Sequence, residues 1–347
     1  MAISITAVVV SFAGPAATAN ALQSLLAQSL APVELLVVDN DPRGATARAL
    51  ATGEMSSNVR TLHPGTNLGY TGAANLAARK ATCEWLFFLN PDAVAASDCL
   101  ERLLEAADGP DVAVVGAQVL LPDGRINAGE NPINIAGISW SGGYGLPRER
   151  GPARDTAAVS GAALLVRRDA FLGLGGLCPF FFMYVDDTDL AWRARLSGMR
   201  VRYCPEAVVV HDYEFEKGAH KWFYLERNRA WALLSNLQLR TLGLLAPVLL
   251  ITEIAVLARA VSEGWLAEKA RAWASLLGHV PELIRWRRSV QAARNVSDYR
   301  VLELFSAGID TELIDTRLPR WVTPGLERYR RVVLHLLKSL EPESRGL

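Results

Sequence analysis

Short unbroken apolar runs alternate along the N-terminal third with stretches whose apolar positions recur every third or fourth residue. Residues 3–12 form a β-branched run, and 16–28 place Leu22, Leu25 and Leu26 on one face of a helix. Residues 33–39 read as a second strand, 58–63 as a short third strand and 70–81 as an Ala-rich helix. The next run, Trp85-Leu86-Phe87-Phe88-Leu89, is too short for a helix and is cut off by Asn90-Pro91, as expected of a central strand buried on both faces. A helix over 97–107 and a strand over 112–120 follow. Alternation at this spacing predicts an α/β protein with a doubly wound, mostly parallel sheet. Such sheets bind ligands outside the carboxyl ends of their strands. Pro91 lacks an amide proton and holds Asn90 extended, so the central strand stops there and Asp92 projects into that crevice.

The rhythm then changes. Pro122 to Arg125 form a turn, and residues 127–155, rich in Gly, Pro, Asn and Arg, predict a long loop of functional weight. Residues 159–166 predict another buried strand. Phe180-Phe181-Phe182 and the acids Asp186, Asp187 and Asp189 then precede a helix marked by Leu190 and Ala194. Acids in a first turn suit the positive end of a helix, so a well-capped surface helix is one reading. The three aromatics put the acids at the edge of an apolar pocket instead, where repulsion and burial raise a carboxylate's pKa. An apolar run over 207–210 ends at His211, and helical aromatic spacing begins at Trp222. Residues 242–257 are nearly continuous aliphatic sequence, bounded by Arg240 and Arg259 and broken by Pro247 and Glu253. The run is short for a spanning helix, and a central acid is costly in hydrocarbon. Trp265, Trp273 and Trp286 then accompany Arg285, Arg287 and Arg288, a pattern suited to a bilayer surface, to self-association or to packing on the preceding domain.

Composition narrows the function. A chain of 347 residues, half of them hydrophobic, can bury a large core in one extended domain with an appendage. Equal numbers of acidic and basic residues, 36 of each, argue against nucleic acid as a partner. Cys83, Cys99, Cys178 and Cys204 are scattered, as buried thiols of a reducing compartment would be. Met1 to Ile5 lack a basic region and read as the start of the first strand, not as a signal peptide. After that strand Ser11-Phe12-Ala13-Gly14-Pro15 contains neither Gly-x-Gly-x-x-Gly nor a P-loop, which lowers the case for a dehydrogenase or an ATPase. Phe12, Asp39 and Asp92 remain at the strand ends, where an aromatic face and carboxylates can hold a base and ribose hydroxyls.

Ser11-Phe12, Asp39-Asn40, Asn67 to Asn75 and Asn90-Pro91-Asp92, in that order, resemble family 2 glycosyltransferases, and within them the rhamnosyltransferase-like and galactofuranosyltransferase-like branch. The likeness covers residues 3–237. Asp186-Asp187-Thr188-Asp189-Leu190 is similar to the family's Glu-Asp-x-Asp-Leu signature, with Asp186 in place of Glu. The resemblance implies a GT-A fold over residues 1–237, with 1–121 holding the nucleotide sugar and 122–237 the acceptor. Residues 238–347 would then be a helical region that touches membrane or oligomerises.

By the same resemblance Phe12 and Asp39 hold the nucleobase, while Asn67 and Gly69 let the donor approach. Asn90 and Asp92 occupy the Asp-x-Asp metal motif, with Asn90 at its first position. Asp92 and His211 would carry Mn²⁺ or Mg²⁺, which offsets charge on a departing diphosphate; one carboxylate with phosphate oxygens and water can suffice, and an imidazole ligand favours Mn²⁺. A structural His at a strand end is the plainer alternative. Arg227 or Lys221 would bond the diphosphate. Asp187, matching the second acid of the signature, is the expected general base of an inverting reaction. Asp186 and Asp189 would bind acceptor hydroxyls or cap the helix, and Gly161 and Trp192 fall on the acceptor side, Gly161 equally as a packing residue. The implied enzyme moves rhamnose from dTDP-rhamnose to a bacterial surface polysaccharide or lipid-linked glycan at the cytoplasmic face of the plasma membrane. Alternatives are a galactofuranosyl- or other hexosyltransferase using a UDP-sugar, a sugar nucleotidyltransferase, and a scaffold that binds nucleotide without turnover.

Overall fold

The structure is a computed structural model, and it describes residues 4–52, 58–211, 218, 220–309 and 322–341. The first half alternates as the pattern predicts, with α2 and β5 added to it: β1 (Ile5–Ser11), α1 (Pro15–Leu26), β2 (Glu34–Asp39), α2 (Ala45–Thr52), β3 (Arg60–Leu62), α3 (Gly69–Lys80), β4 (Trp85–Leu89), β5 (Ala93–Ala95), α4 (Cys99–Ala106) and β6 (Val112–Leu120). Short strands follow, β7 (Ile126–Ala128), β8 (Glu130–Asn131), β9 (Arg154–Asp155) and β10 (Ala158–Val159), then β11 (Ala163–Arg167), α5 (Arg168–Gly173), α6 (Asp186–Leu196) and the long β12 (Arg200–His211). Helices complete the described chain: α7 (His220–Asn236), α8 (Leu239–Ser262), α9 (Leu266–Gly278), α10 (Val280–Ala292), α11 (Asp298–Leu302) and α12 (Val322–Ser339).

The main sheet runs β3-β2-β1-β4-β11-β6-β12-β5. Its first four strands are parallel and β12 is parallel to β6, but β11 runs against both neighbours and β5 runs against β12. The chain leaves β6 through short strands with no crossover helix, so it re-enters the sheet reversed. The single strand expected over 159–166 is also interrupted. Val159 ends β10, Ala163 opens β11, and the three residues between them are diverted toward α6.

Side chains of β4 alternate between two layers. Leu86 and Phe88 join a core with α3, α6 and the C-terminal helices, whereas Trp85, Phe87 and Leu89 pack toward α1 and α4. Each buried Phe contributes about 1.5–3 kcal/mol relative to exposure. Leu245, Val248, Val290, Phe305 and Val333 belong to the first core, so the C-terminal helices extend it. The four cysteines are buried free thiols.

Helix α8 is long and apolar enough to cross a membrane, with a mean hydropathy of 2.2. Its outward side carries exposed Leu250, Ile251, Ile254 and Val261. The acid that breaks its apolar run has partners on neighbouring helices. Glu253 accepts from Arg229 at 2.8 Å and from Trp273 Nε1 at 2.7 Å, and pairs with Lys269 at 2.6 Å. Glu226 shares both cations, Arg229 at 2.8 Å and the buried Lys269. Two acids and two bases thus close a network across α7, α8 and α9.

Candidate active site

The parallel strands deliver their carboxyl ends to one edge. After β1, Ser11 is buried and its hydroxyl shares hydrogen bonds with Thr18 (2.7 Å) and Thr46 (2.8 Å), so the next residue turns outward. Phe12 is 57 % exposed there, and Ala13 takes a left-handed φ of 53°. Asp39, expected to face a base, has no exposed surface. Its carboxylate accepts the amides of Asp41 (3.2 Å) and Ala47 (2.7 Å), capping the first turn of α2. Asp41 binds Arg43 through Oδ1, while its buried Oδ2 has no hydrogen-bond partner among the described residues. Asn40 ties in the segment before α3: its amide donates to Asn67 Oδ1 and the Gly69 carbonyl, each at 3.0 Å, and accepts from Leu68 N at 2.9 Å. Asn67 itself is exposed, and its Oδ1 also takes the Gly69 amide at 2.9 Å.

Asp92 and His211 lie 119 positions apart in the chain and meet through the sheet. In the antiparallel pairing of β5 with β12, His211 stands opposite Ala93. That register sets His211 Nε2 2.9 Å from Asp92 Oδ1. The imidazole is buried, whereas the carboxylate keeps 37 % of its surface exposed. One oxygen and one nitrogen donor converging beside open surface fit a divalent cation that takes its remaining ligands from phosphate and water. No group of three or more metal-binding side chains occurs among the described residues.

The acids of α6 reach the same edge by a different path. Asn90 N donates to the Ala162 carbonyl (2.9 Å), and Gly161 N donates to Asp187 Oδ2 (2.8 Å). Two adjacent residues therefore bridge the turn carrying Asp92 to the carboxylate of Asp187. Thr188 N holds the other oxygen at 2.6 Å. A Cβ added to Gly161 would lie 3.1 Å from Asp187 Cβ, so this residue lets the acid come close. The loop leading into α6 is strained: Phe182, Tyr184 and Val185 all have φ between 64° and 66°, which is uncommon for residues with a Cβ. Gly69 packs under Phe182, and Thr71 N donates to the Phe182 carbonyl at 3.2 Å.

Burial pushes the Asp186 carboxyl up to about 8, with further repulsion from Asp187 and Asp189. Asp187 is also raised by burial, but the amides of Gly161 and Thr188 oppose the rise. The pair titrates together. Burial favours a shared proton on the pair, and the amides of Gly161 and Thr188 favour the charged form of Asp187. Tyr70, whose hydroxyl donates to the Gly161 carbonyl at 3.4 Å, is kept neutral by burial and by the two acids. Between roughly pH 4 and 8 the folded chain keeps a proton on Asp186 that the unfolded chain has lost, so stability falls as pH rises through that window. Asp186→Asn is expected to raise the melting temperature at pH 8 by about 3 °C or more and to leave it nearly unchanged at pH 4. Thermal unfolding at the two pH values measures this, and equal shifts at both would contradict it.

A sequence model described as Glycosyl transferase family 2 matches residues 6–175. The chain is also 30 % identical over 223 residues to an N-acetylglucosaminyl-diphospho-decaprenol L-rhamnosyltransferase of Mycobacterium tuberculosis, covering 57 % of this chain and 72 % of that one. The chain belongs to glycosyl transferase family 2. Among solved structures, this glycosyltransferase is similar to the mannosyltransferase PcManGT from Pyrobaculum calidifontis, in complex with GDP-Man and Mn²⁺, at TM-score 0.52 and 19 % identity over 83 % of this chain and 85 % of that chain. It is similar as well to GalNAc-T7 with UDP, GalNAc and Mn²⁺, at TM-score 0.55 and 12 % identity over 67 % of this chain and 48 % of that longer one. The fold is GT-A.

Four residues of the glycosyltransferase expected at substrate sit elsewhere: Asp39, which caps α2, and the three that follow. Asp189 is fully buried and bonds Arg193 (2.8 Å) and Asn236 (3.0 Å), joining α6 to α7. Trp192 is 1 % exposed and packs edge-on against Phe305. Arg227, expected at the diphosphate, donates to the carbonyls of Phe180 (2.7 Å) and Phe181 (2.8 Å). A helix presents every residue to some neighbour, and which faces are inside depends on α7 and α11, which lie far along the chain. Asn40, Asp41, Tyr70 and Asn228 were not singled out from the sequence; the positions of Asn40 and Tyr70 inside the matched segments Asp39-Asn40 and Asn67 to Asn75 were the available signal.

Proposed function

We propose that this glycosyltransferase is an inverting, metal-dependent enzyme that moves a sugar, with rhamnose from dTDP-rhamnose as the first candidate, onto a hydroxyl of a lipid-linked or cell-surface glycan. One observation carries the reading: the hydrogen bonds through Asn90, Ala162 and Gly161 bring Asp92 and Asp187 to one edge of the sheet. In this reading residues 1–121 receive the donor and 122–237 the acceptor. Phe12 offers its face to the base. Asp92 and His211 would hold Mn²⁺ or Mg²⁺, as the Mn²⁺ in the two solved relatives supports. A cation bound there offsets negative charge on the leaving diphosphate.

Asp187 takes the proton of the acceptor hydroxyl as that oxygen attacks the anomeric carbon opposite the diphosphate. Gly161 and Thr188 fix its oxygens, and burial of the neighbouring Asp186 favours a shared proton on the pair. Exposed apolar side chains along α8 support contact with the membrane that carries the acceptor, at its cytoplasmic face. Residues 238–347 hold sixteen Lys and Arg against twelve Asp and Glu, the sign that anionic lipid favours.

The test is a panel of nucleotide sugars incubated with the protein, Mn²⁺, Mg²⁺ or chelator, and vesicles bearing lipid-linked acceptors, reading nucleoside diphosphate release. Release with dTDP-rhamnose that needs both metal and acceptor is expected. Turnover unaffected by chelator would remove the metal role, a preference for a UDP-sugar would move the enzyme to the galactofuranosyl side, and binding of nucleotide without release from any donor would overturn catalysis.

A further inference from the structure

We propose that Asn228, oriented by Arg227, is a positioning residue for the Asp186–Asp187 pair; the proposal rests on the assignment of Asp187 as the base. Asn228 lies on α7 with no exposed surface. Its Nδ2 donates to three carbonyls of the loop before α6: Phe181 at 3.2 Å, Met183 at 2.8 Å and Tyr184 at 2.9 Å. The group has two hydrogens, so one is shared. Its Oδ1 accepts from Arg227 Nε at 3.0 Å, which sets the amide with its nitrogen toward the loop. Arg227 adds the carbonyls of Phe180 and Phe181 and is enclosed by the rings of Phe180, Phe223 and Tyr224. Two side chains thus secure four of the five carbonyls from Phe180 to Tyr184.

These carbonyls belong to the stretch whose left-handed residues are Phe182, Tyr184 and Val185. A β-branched residue such as Val185 rarely adopts that conformation, and strain of this kind persists only where surroundings over-determine it. Val185 is the residue immediately before α6, and Asp186 and Asp187 are the first two of the helix. The backbone angle there decides where both carboxyls point. From the other side α3 restrains the same loop, with Thr71 on the Phe182 carbonyl and Asn75 making paired bonds of 2.8 Å to Leu177. Asn228 therefore completes a clamp whose released form would rotate the start of α6 and admit water to Asp186. It reaches the reaction through the loop alone.

The experiment compares wild type, Asn228→Ala, Asn228→Ser, which keeps one donor, and Asp187→Asn. It measures kcat, nucleoside diphosphate affinity, the pH dependence of kcat and amide exchange over residues 181–187. For Asn228→Ala we expect kcat to fall about 10²-fold, as a displaced base requires, with diphosphate affinity within roughly twofold. The pH profile should move to lower pH because a hydrated Asp186 ionises earlier. Asn228→Ser should recover part of the rate. If Asn228→Ala does not fold, Asn228→Ser and Arg227→Lys are held to the same criteria. A folded variant with wild-type kcat, pH profile and exchange overturns the proposal, as does an equal loss of kcat and affinity. Wild-type turnover of Asp187→Asn, together with faster exchange in Asn228→Ala, overturns the base assignment and upholds the clamp.

Discussion

Asp187→Asn is expected to slow sugar transfer by about 10²–10⁴-fold while donor nucleotide binds as in the wild type. The substitution is close to isosteric. Gly161 N and Thr188 N bond to different oxygens of Asp187, Oδ2 at 2.8 Å and Oδ1 at 2.6 Å, so the single oxygen of the Asn side chain keeps one of these bonds and gives up the other. The larger loss is the ability to receive a proton. Initial rates at saturating donor, read beside calorimetric affinity for the nucleoside diphosphate, separate the two effects. Retention of more than about a tenth of the wild-type rate would show that another group, Asp186 first, removes the proton. A parallel loss of donor affinity would place Asp187 at the nucleotide instead.

Gly69→Ala carries the largest expected structural effect. Gly69 has a φ of +68°, and a Cβ there would lie 2.4 Å from Phe182 Cδ2 and 2.6 Å from the Phe182 carbonyl oxygen. Neither can retreat easily, because that carbonyl accepts Thr71 N and its loop is held by Asn228. Backbone strain and steric displacement act together, for an expected loss of about 2–4 kcal/mol in denaturant unfolding. Gly65→Ala separates the two. Gly65 has a similar φ of +74°, and a methyl added there would meet nothing within 4 Å, so its cost should be only about 1 kcal/mol. Equal costs for the two variants would mean that contact between α3 and the aromatic loop contributes little.

Much of this edge was legible from local pattern. The apolar run 85–89 followed by Asn90-Pro91 locates the end of β4, since proline ends a ladder by its covalent structure. Three aromatics before three acids locate the loop and the start of α6. Local pattern carries no strand direction, and so the reversal of β11 was not visible in 159–166. Nor does it say which side of α6 faces inward: Asp186 and Asp189 are both acids of one first turn, yet Asp189 is bound to Arg193 and to Asn236, 47 positions away. Arg227 reads as a phosphate ligand by residue type, and only the backbone carbonyls around it show that its hydrogen bonds are spent on the loop. Asp39 is the same case, its carboxylate taken up by α2.

The charge network between the C-terminal helices restricts where the polypeptide can be shortened. Stop codons placed just after α7 leave Glu226 with Arg229, one to one, and those beyond α9 leave Glu226 and Glu253 with Arg229 and Lys269, two to two. Any stop between α8 and α9 leaves two anions to a single cation on an oily rod, so intermediate-length expression products should be the insoluble ones.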